Sequence, residues 1–135
     1  HLVIKGILDV RDARLAVDSG ADGIIVSNHG GRQLDGTVPP LRVLPGIVQA
    51  CPEVPVMIDS GFRRGTDVLK AVALGAKFVF VGRPFNYAAS VAGEDGVRKA
   101  IGLLREEVSR NMAMLGVNGL SELDASYLLP AHPVS

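Results

Sequence analysis

The chain contains a single cysteine, Cys51, and no excess of charge, its fourteen lysines and arginines matching fourteen aspartates and glutamates. A lone thiol forms no internal disulfide, and no Cys or His stands near it at metal-ligand spacing. Neither a disulfide-stapled scaffold nor a metal site is expected, and the cysteine usage fits a reducing compartment. Balanced charge removes the bulk attraction that draws proteins to nucleic acid or anionic membranes, so any anion binding has to be local. No apolar stretch approaches the roughly 20 residues of a membrane span, and no signal-peptide pattern is present. The expectation is a cytoplasmic protein, any membrane attachment coming from a segment outside this sequence. An initiator methionine is also missing: the sequence opens His1-Leu2-Val3-Ile4-Lys5, which sets the expectation of a start within a longer polypeptide.

What is present is the composition of a globular domain, 135 residues that are 47% hydrophobic and 21% charged, enough for one buried core. Four short apolar runs recur, at Leu2–Ile4, Gly23–Val26, Pro55–Ile58 and Phe78–Val81. They are uninterrupted rather than alternating, which predicts strands buried on both faces, as in a parallel sheet covered by helices. Helix signals fill the gaps. Asp9 is placed to cap a helix that carries Val10, Ala13 and Val17 on one face and stops at Gly20. Leu44–Ala50 is a weaker helical segment before Pro52, and Thr66 opens a helix over Asp67–Leu74 that Gly75 ends. Val97, Ala100, Ile101, Leu104, Val108 and Leu115 mark one face of a long final helix. The tail, 116–135, reads as a short helix or turn at Ser121-Glu122-Leu123 followed by a frayed end.

The stretch Gly20-Ala21-Asp22-Gly23-Ile24-Ile25-Val26-Ser27 echoes Gly75-Ala76-Lys77-Phe78-Val79-Phe80-Val81-Gly82. Both read as helix stop, turn, buried strand, small residue. Repeated βα units build an open doubly wound sheet or part of a (β/α)8 barrel, and eight units take about 250 residues. Four units in 135 residues is the weight of half a barrel. The expected fold is therefore α/β, half of a (β/α)8 TIM barrel.

Unusual polar residues fall at or just after the end of each predicted strand, which is where barrel enzymes place their sites. Lys5 ends the first run. Ser27-Asn28-His29-Gly30-Gly31-Arg32-Gln33-Leu34-Asp35 follows the second and sets an imidazole and a guanidinium three residues apart, with two glycines between them. Asp59-Ser60-Gly61-Phe62-Arg63 follows the third, and Gly82-Arg83 the fourth. Glycine plus arginine in two successive loops is a phosphate cradle, because backbone N–H groups and guanidinium forks supply directed donors and positive potential. Lys5 is read as an electrostatic group, and His29 beside Arg32 as a catalytic pair. Gln33 and Asp35 either orient this pair or start the next turn, the turn being the favoured reading. Arg64, Lys70, Arg98, Lys99, Arg105, Glu106, Glu107 and Arg110 read as solvated charges, and Met112 and Met114 as packing residues.

These motifs resemble the FMN-dependent L-2-hydroxy acid oxidising family, which includes glycolate and lactate oxidases, lactate and mandelate dehydrogenases and flavocytochrome b2. The resemblance is carried by Val3-Ile4-Lys5-Gly6, by Ser27 to Asp35, by Asp59 to Asp67, and by Leu74-Gly75-Ala76 with Val81-Gly82-Arg83-Pro84. It covers the barrel's last four units and extends to about Leu129, making residues 1–135 a C-terminal half-barrel. The resemblance implies that His29 is the base and, with Arg32, contacts the substrate, Arg32 gripping its carboxylate. It places Lys5 and Ser27 at the flavin ring, Asp59 on the ribityl hydroxyls, and Ser60, Gly61, Arg63, Gly82 and Arg83 around the FMN phosphate end. The reaction implied is oxidation of a small L-2-hydroxy acid to the 2-oxo acid, with electrons passed to oxygen or another acceptor.

In that chemistry a histidine near its reference pKa of about 6.5 takes a proton at neutral pH, from the hydroxyl during hydride transfer or from the α-carbon to leave a carbanion. Both routes stay open, as does the choice between oxidase and dehydrogenase. Lys5 would balance the negative charge of the reduced ring. The family's first four strands, its substrate-contacting tyrosines and the carboxylate that orients the histidine have no counterpart here. The expected partners are therefore the N-terminal half of the same barrel and further copies in a homo-oligomer, a tetramer in the family, and the isolated chain is expected to be inactive. Two alternatives remain: another FMN- or phosphate-binding barrel, and a non-catalytic half-barrel that binds a phosphorylated ligand.

Overall fold

Each apolar run becomes a strand of one parallel sheet. The computed structural model describes residues 1–129, in the order β1 (Val3–Ile7), α1 (Val10–Asp18), β2 (Gly23–Val26), α2 (Pro40–Ala50), β3 (Val56–Ile58), α3 (Gly65–Ala73), β4 (Phe78–Val79) and α4 (Arg83–Leu115). The strands lie side by side in sequence order, all parallel. Short 3-10 turns follow α4 at Leu120–Glu122 and Ala125–Tyr127, the first where the tail was expected to turn. The expected frayed end lies outside the described residues beyond Leu129.

Local chemistry accounts for the helix ends. The Asp9 carboxylate accepts from the Arg11 N–H at 2.8 Å and caps α1. α1 and α3 then end in the same way. Ser19, Gly20 and Ala21 donate to the carbonyls of Leu15, Val17 and Ala16, and Leu74, Gly75 and Ala76 donate to those of Lys70, Val72 and Ala71. The next residue in each case enters the sheet, Asp22 donating to the Leu2 carbonyl and Lys77 to that of Val56. The echo between the two sequence stretches is thus a repeated helix-to-strand joint.

Burial within this chain is one-sided. Ile24, Val26, Val56 and Ile58 pack with Ala13, Leu44, Ile47 and Cys51 into the core beneath the helices. Each fully buried aliphatic side chain there contributes about 1.5–3 kcal/mol. The row that crosses the sheet on the other face, Lys5, Ile25, Met57 and Phe78, is only half-buried at its centre and exposed at its ends, Phe78 at 56%. Among the described residues no helix covers that face, which in a (β/α)8 barrel is the inner one and packs against the other strands.

Some boundaries differ from expectation. β4 is two residues long because Phe80 still donates to the Ile58 carbonyl but Val81 leaves the ladder toward Gly82. α2 begins at Pro40 rather than Leu44, since a proline at the first helical position is preorganised and loses no needed N–H. α4 begins at Arg83, well before Val97, and kinks at Ala92 and Gly93, where the backbone is non-helical. Arg64 and Glu107, read as solvated charges, form an ion pair at 2.7 Å that joins α3 to α4. Glu107 also accepts from the Gly65 N–H at 2.7 Å, closing the start of α3 beside Asp67, which accepts from the Arg63 and Arg64 N–H groups. The helices meet so closely that a Cβ on Gly65 would lie 2.6 Å from the Val108 backbone nitrogen. A second small cluster, Leu69, Ala73, Val117 and Leu123, seals this packing, and Val108 and Met112 rest against it.

Candidate active site

Parallel strands deliver their C-terminal ends to one rim, and here that rim gathers the polar residues. Ser27, the first residue after β2, is fully buried, yet its hydroxyl is saturated. Its Oγ accepts from Lys5 Nζ at 3.0 Å and from the His29 N–H at 3.1 Å. Lys5 Nζ also lies 3.0 Å from Asp59 Oδ2. Ser60 Oγ donates to Asp59 Oδ1 at 2.8 Å and accepts from the Gly30 N–H at 3.0 Å. Side chains from three strand ends thus form one continuous network.

Two stretches of the rim carry left-handed backbone. His29, Gly30 and Gly31 have φ of 57°, 67° and 68°, and Ser60 and Gly61 have 78° and 86°. His29 and Ser60 are the non-glycine residues with positive φ among the described residues, each adopting a conformation that side chains disfavour by about 1–2 kcal/mol. The network offsets that strain, since it binds the His29 N–H and engages both sides of the Ser60 hydroxyl. The Asn28 side chain accepts from the Gly31 N–H at 3.2 Å, and Arg83 Nη2 donates to the Gly30 carbonyl at 3.1 Å. The turn bearing His29 is therefore held from both sides.

Above this network lies a cleft of about 860 Å³, lined by Lys5, His29, Arg32, Asp59, Ser60, Gly61, Arg63, Gly82 and Arg83. Every residue nominated from the sequence lines it except Ser27, which supports it from below. Four cationic side chains face one carboxylate, so positive potential is concentrated here in a chain of zero net charge. Burial pushes the Asp59 carboxyl upward, but hydrogen bonds involving Ser27, Lys5 and Ser60 and the Lys5 charge together hold it below the ordinary carboxylate value. Gln33, read as part of a turn, also lines the cleft. Asn86 and Tyr87, in the first turns of α4, were missed. The available signal was Pro84, which marks a helix start and puts Tyr87 four residues beyond Arg83 on one helix face.

The chain belongs to the FMN-dependent dehydrogenase family, whose sequence pattern matches residues 1–130. It is 57% identical over 116 residues to a 4-hydroxymandelate oxidase of Amycolatopsis orientalis, covering 85% of this chain and 32% of that protein. It is 50% identical over 129 residues to an L-lactate dehydrogenase of Pseudomonas aeruginosa and 47% identical over 129 residues to glycolate oxidase 2 of rice (Oryza sativa subsp. indica). Those matches cover 95% of this chain and 34% and 35% of the two relatives. The chain thus spans about a third of the length of the curated relatives it matches. The structure of a mandelate oxidase with benzoyl-formic acid superposes with a TM-score of 0.85 at 55% identity, over 89% of this chain and 36% of the other. A mandelate oxidase mutant bearing a monooxide FMN adduct matches equally well, over 38% of its chain. The fold is accordingly α/β, a four-unit part of a TIM barrel.

FMN is the family's cofactor, and the residues present fit it. Arg63 and Arg83 supply donors for a phosphate. A Cβ on Gly61 or Gly82 would meet no atom within 4 Å, so the space beside their backbone is open to a ligand. Asp59 offers acceptors suited to hydroxyl groups, and Lys5 a fixed cation for an electron-rich ring.

Proposed function

We propose that this chain supplies the C-terminal four βα units of an FMN-dependent L-2-hydroxy acid oxidoreductase, with His29 as base and Arg32 as carboxylate clamp. The observation that carries this reading is the convergence of His29, Arg32 and Lys5 on one cleft that also holds the phosphate-suited Arg63 and Arg83. When bound, FMN supplies the two-electron acceptor.

The chain's own residues then divide the remaining work. Arg32, among the exposed residues of the rim, presents a planar fork that grips a carboxylate through two parallel N–H···O bonds, fixing the hydroxyl-bearing carbon. His29 takes the proton that leaves the substrate, whether from oxygen or from carbon. Lys5, anchored by Ser27 and Asp59, keeps positive charge under the cleft and favours an anionic form of a bound ring. Arg63 and Arg83, with Ser60, Gly61 and Gly82, hold the phosphate, and Asp59 the polar chain that joins it to the ring. The N-terminal half of the barrel, outside this chain, completes the site.

Mixing the full-length, FMN-loaded protein with a 2-hydroxy acid such as mandelate, lactate or glycolate under anaerobic conditions tests this directly. Bleaching of the yellow colour that His29→Ala abolishes, with flavin retained, supports it. A yellow protein that none of these acids bleaches points to a different FMN barrel, and a protein that never takes up flavin to a non-catalytic phosphate-binding unit.

A further inference from the structure

Strand β1 is interrupted once. Its pairing with β2 runs Val3 with Gly23, Ile4 with Ile24 and Lys5 with Ile25, then resumes at Ile7 with Val26, leaving Gly6 as the extra residue of a bulge. Gly6 has φ +102°, and a Cβ built there would stand 2.8 Å from Cε1 and 3.2 Å from Nε2 of His29. A real methyl does not approach a ring carbon so closely, so either the ring or the bulge would have to move. The backbone at His29 has little room to retreat, which leaves the exposed ring to turn about its own side-chain bonds. That backbone is left-handed and its N–H is bound to the buried Ser27 hydroxyl, while the next residue, Gly30, is held by Ser60 and Arg83. The imidazole thus lies against bare backbone at position 6.

We propose that Gly6 is a positioning residue for His29: the side chain missing at the bulge is the seat of the imidazole and sets where the proton acceptor stands. The functional half of this inference rests on reading His29 as the base. Its structural half rests only on the contact between position 6 and the ring. A glycine kept merely for its positive φ would show no such dependence on the ring.

The test compares Gly6→Ala, Gly20→Ala, His29→Ala and the double variant Gly6→Ala/His29→Ala in the full-length, FMN-loaded protein. Gly20 has φ +98° and nothing within 4 Å of an added Cβ, so Gly20→Ala carries the backbone cost with no ring to displace. Gly6→Ala is expected to slow substrate-driven bleaching by on the order of 100-fold with flavin still bound. It should also shift the His29 Cε1–H resonance in NMR as the ring is pushed from its seat. Gly20→Ala should leave the bleaching rate and the resonance unchanged. A resonance that Gly6→Ala leaves unshifted overturns the proposal, as does a native bleaching rate. If Gly6→Ala does not fold, recovery of folding in the double variant supports the seat and continued failure overturns it. A His29→Ala protein that bleaches normally would remove the base reading while leaving the resonance comparison intact, so the two failures are distinguishable.

Discussion

The two ends of the sheet use the same backbone conformation for different purposes. Where helices hand the chain back to strands, the left-handed positions are Gly20 and Gly75, at φ +98° and +100°. There the conformation costs little and serves only to stop a helix. At the opposite rim His29 and Ser60 adopt it with side chains attached, and hydrogen bonds to Ser27, Asp59 and Gly30 hold them there. One end is built for folding economy, whereas the other accepts strain to aim an imidazole and a hydroxyl.

Replacing His29 by Ala breaks the comparison most severely. Stopped-flow bleaching with substrate should slow by about 10²- to 10⁴-fold while flavin stays bound, and a native rate would leave the strain at position 29 without a functional purpose. Arg32→Lys comes next: KM for the 2-hydroxy acid should rise on the order of 10- to 100-fold, because one ammonium does not reproduce two parallel hydrogen bonds to a carboxylate. Steady-state kinetics that leave KM unchanged would take Arg32 out of the clamp.

Smaller effects sharpen the contrast between the ends. Ser60→Ala keeps the strained backbone but deprives the Gly30 N–H and Asp59 of their partner, for a loss of about 1–3 kcal/mol in urea melts. Ser60→Gly loses the same bonds yet relieves the strain, so it should be the milder of the two. At the helix-ending side the same preference for glycine holds with no bonds at stake, Gly20→Ala costing about 1 kcal/mol. If Ser60→Gly proves the more damaging, strain is not what separates the rim from the far end.

Acid supplies the mildest probe. Hydrogen bonds from Arg14 hold Glu53 below the usual carboxylate range, as those from Arg64 and the Gly65 N–H hold Glu107, and the rim network does the same for Asp59. Folded carboxyls with lowered values release protons more readily than unfolded ones. Their contribution is therefore complete above the unfolded values near pH 4 and is lost as pH falls through the folded ones. Thermal melts from pH 6 down to pH 3 should show that loss. Added salt should reduce the share due to the exposed Arg14–Glu53 and Arg64–Glu107 pairs more than that of the sheltered Asp59. Asp59→Asn should make the remaining acid loss shallower.

Much of this rim was legible in the sequence because strand ends, glycines and charged residues recur there in register. The joints at Gly20 and Gly75 were legible for the same reason, as a repeated pattern of helix stop and strand. What stayed hidden depended on contacts distant in sequence. The early start of α4 is masked because its first turns carry cleft residues such as Tyr87 instead of a regular apolar stripe. The pairing of Arg64 with Glu107 spans 43 residues and is invisible to any local window. Gly6 looked like an ordinary residue of the Lys5 motif, and only the bulge and the ring beside it give the position a role.

That long-range pairing reaches further than its modest energy suggests. The carboxylate at position 107 closes the start of a helix whose leading loop carries Arg63, yet it sits in the second half of α4 and does not itself line the cleft. The start of α3 is in this way fixed from the far side of the chain, and a truncation that spares every cleft residue but removes the second half of α4 would still loosen the loop that carries Arg63, and with it the proposed phosphate cradle.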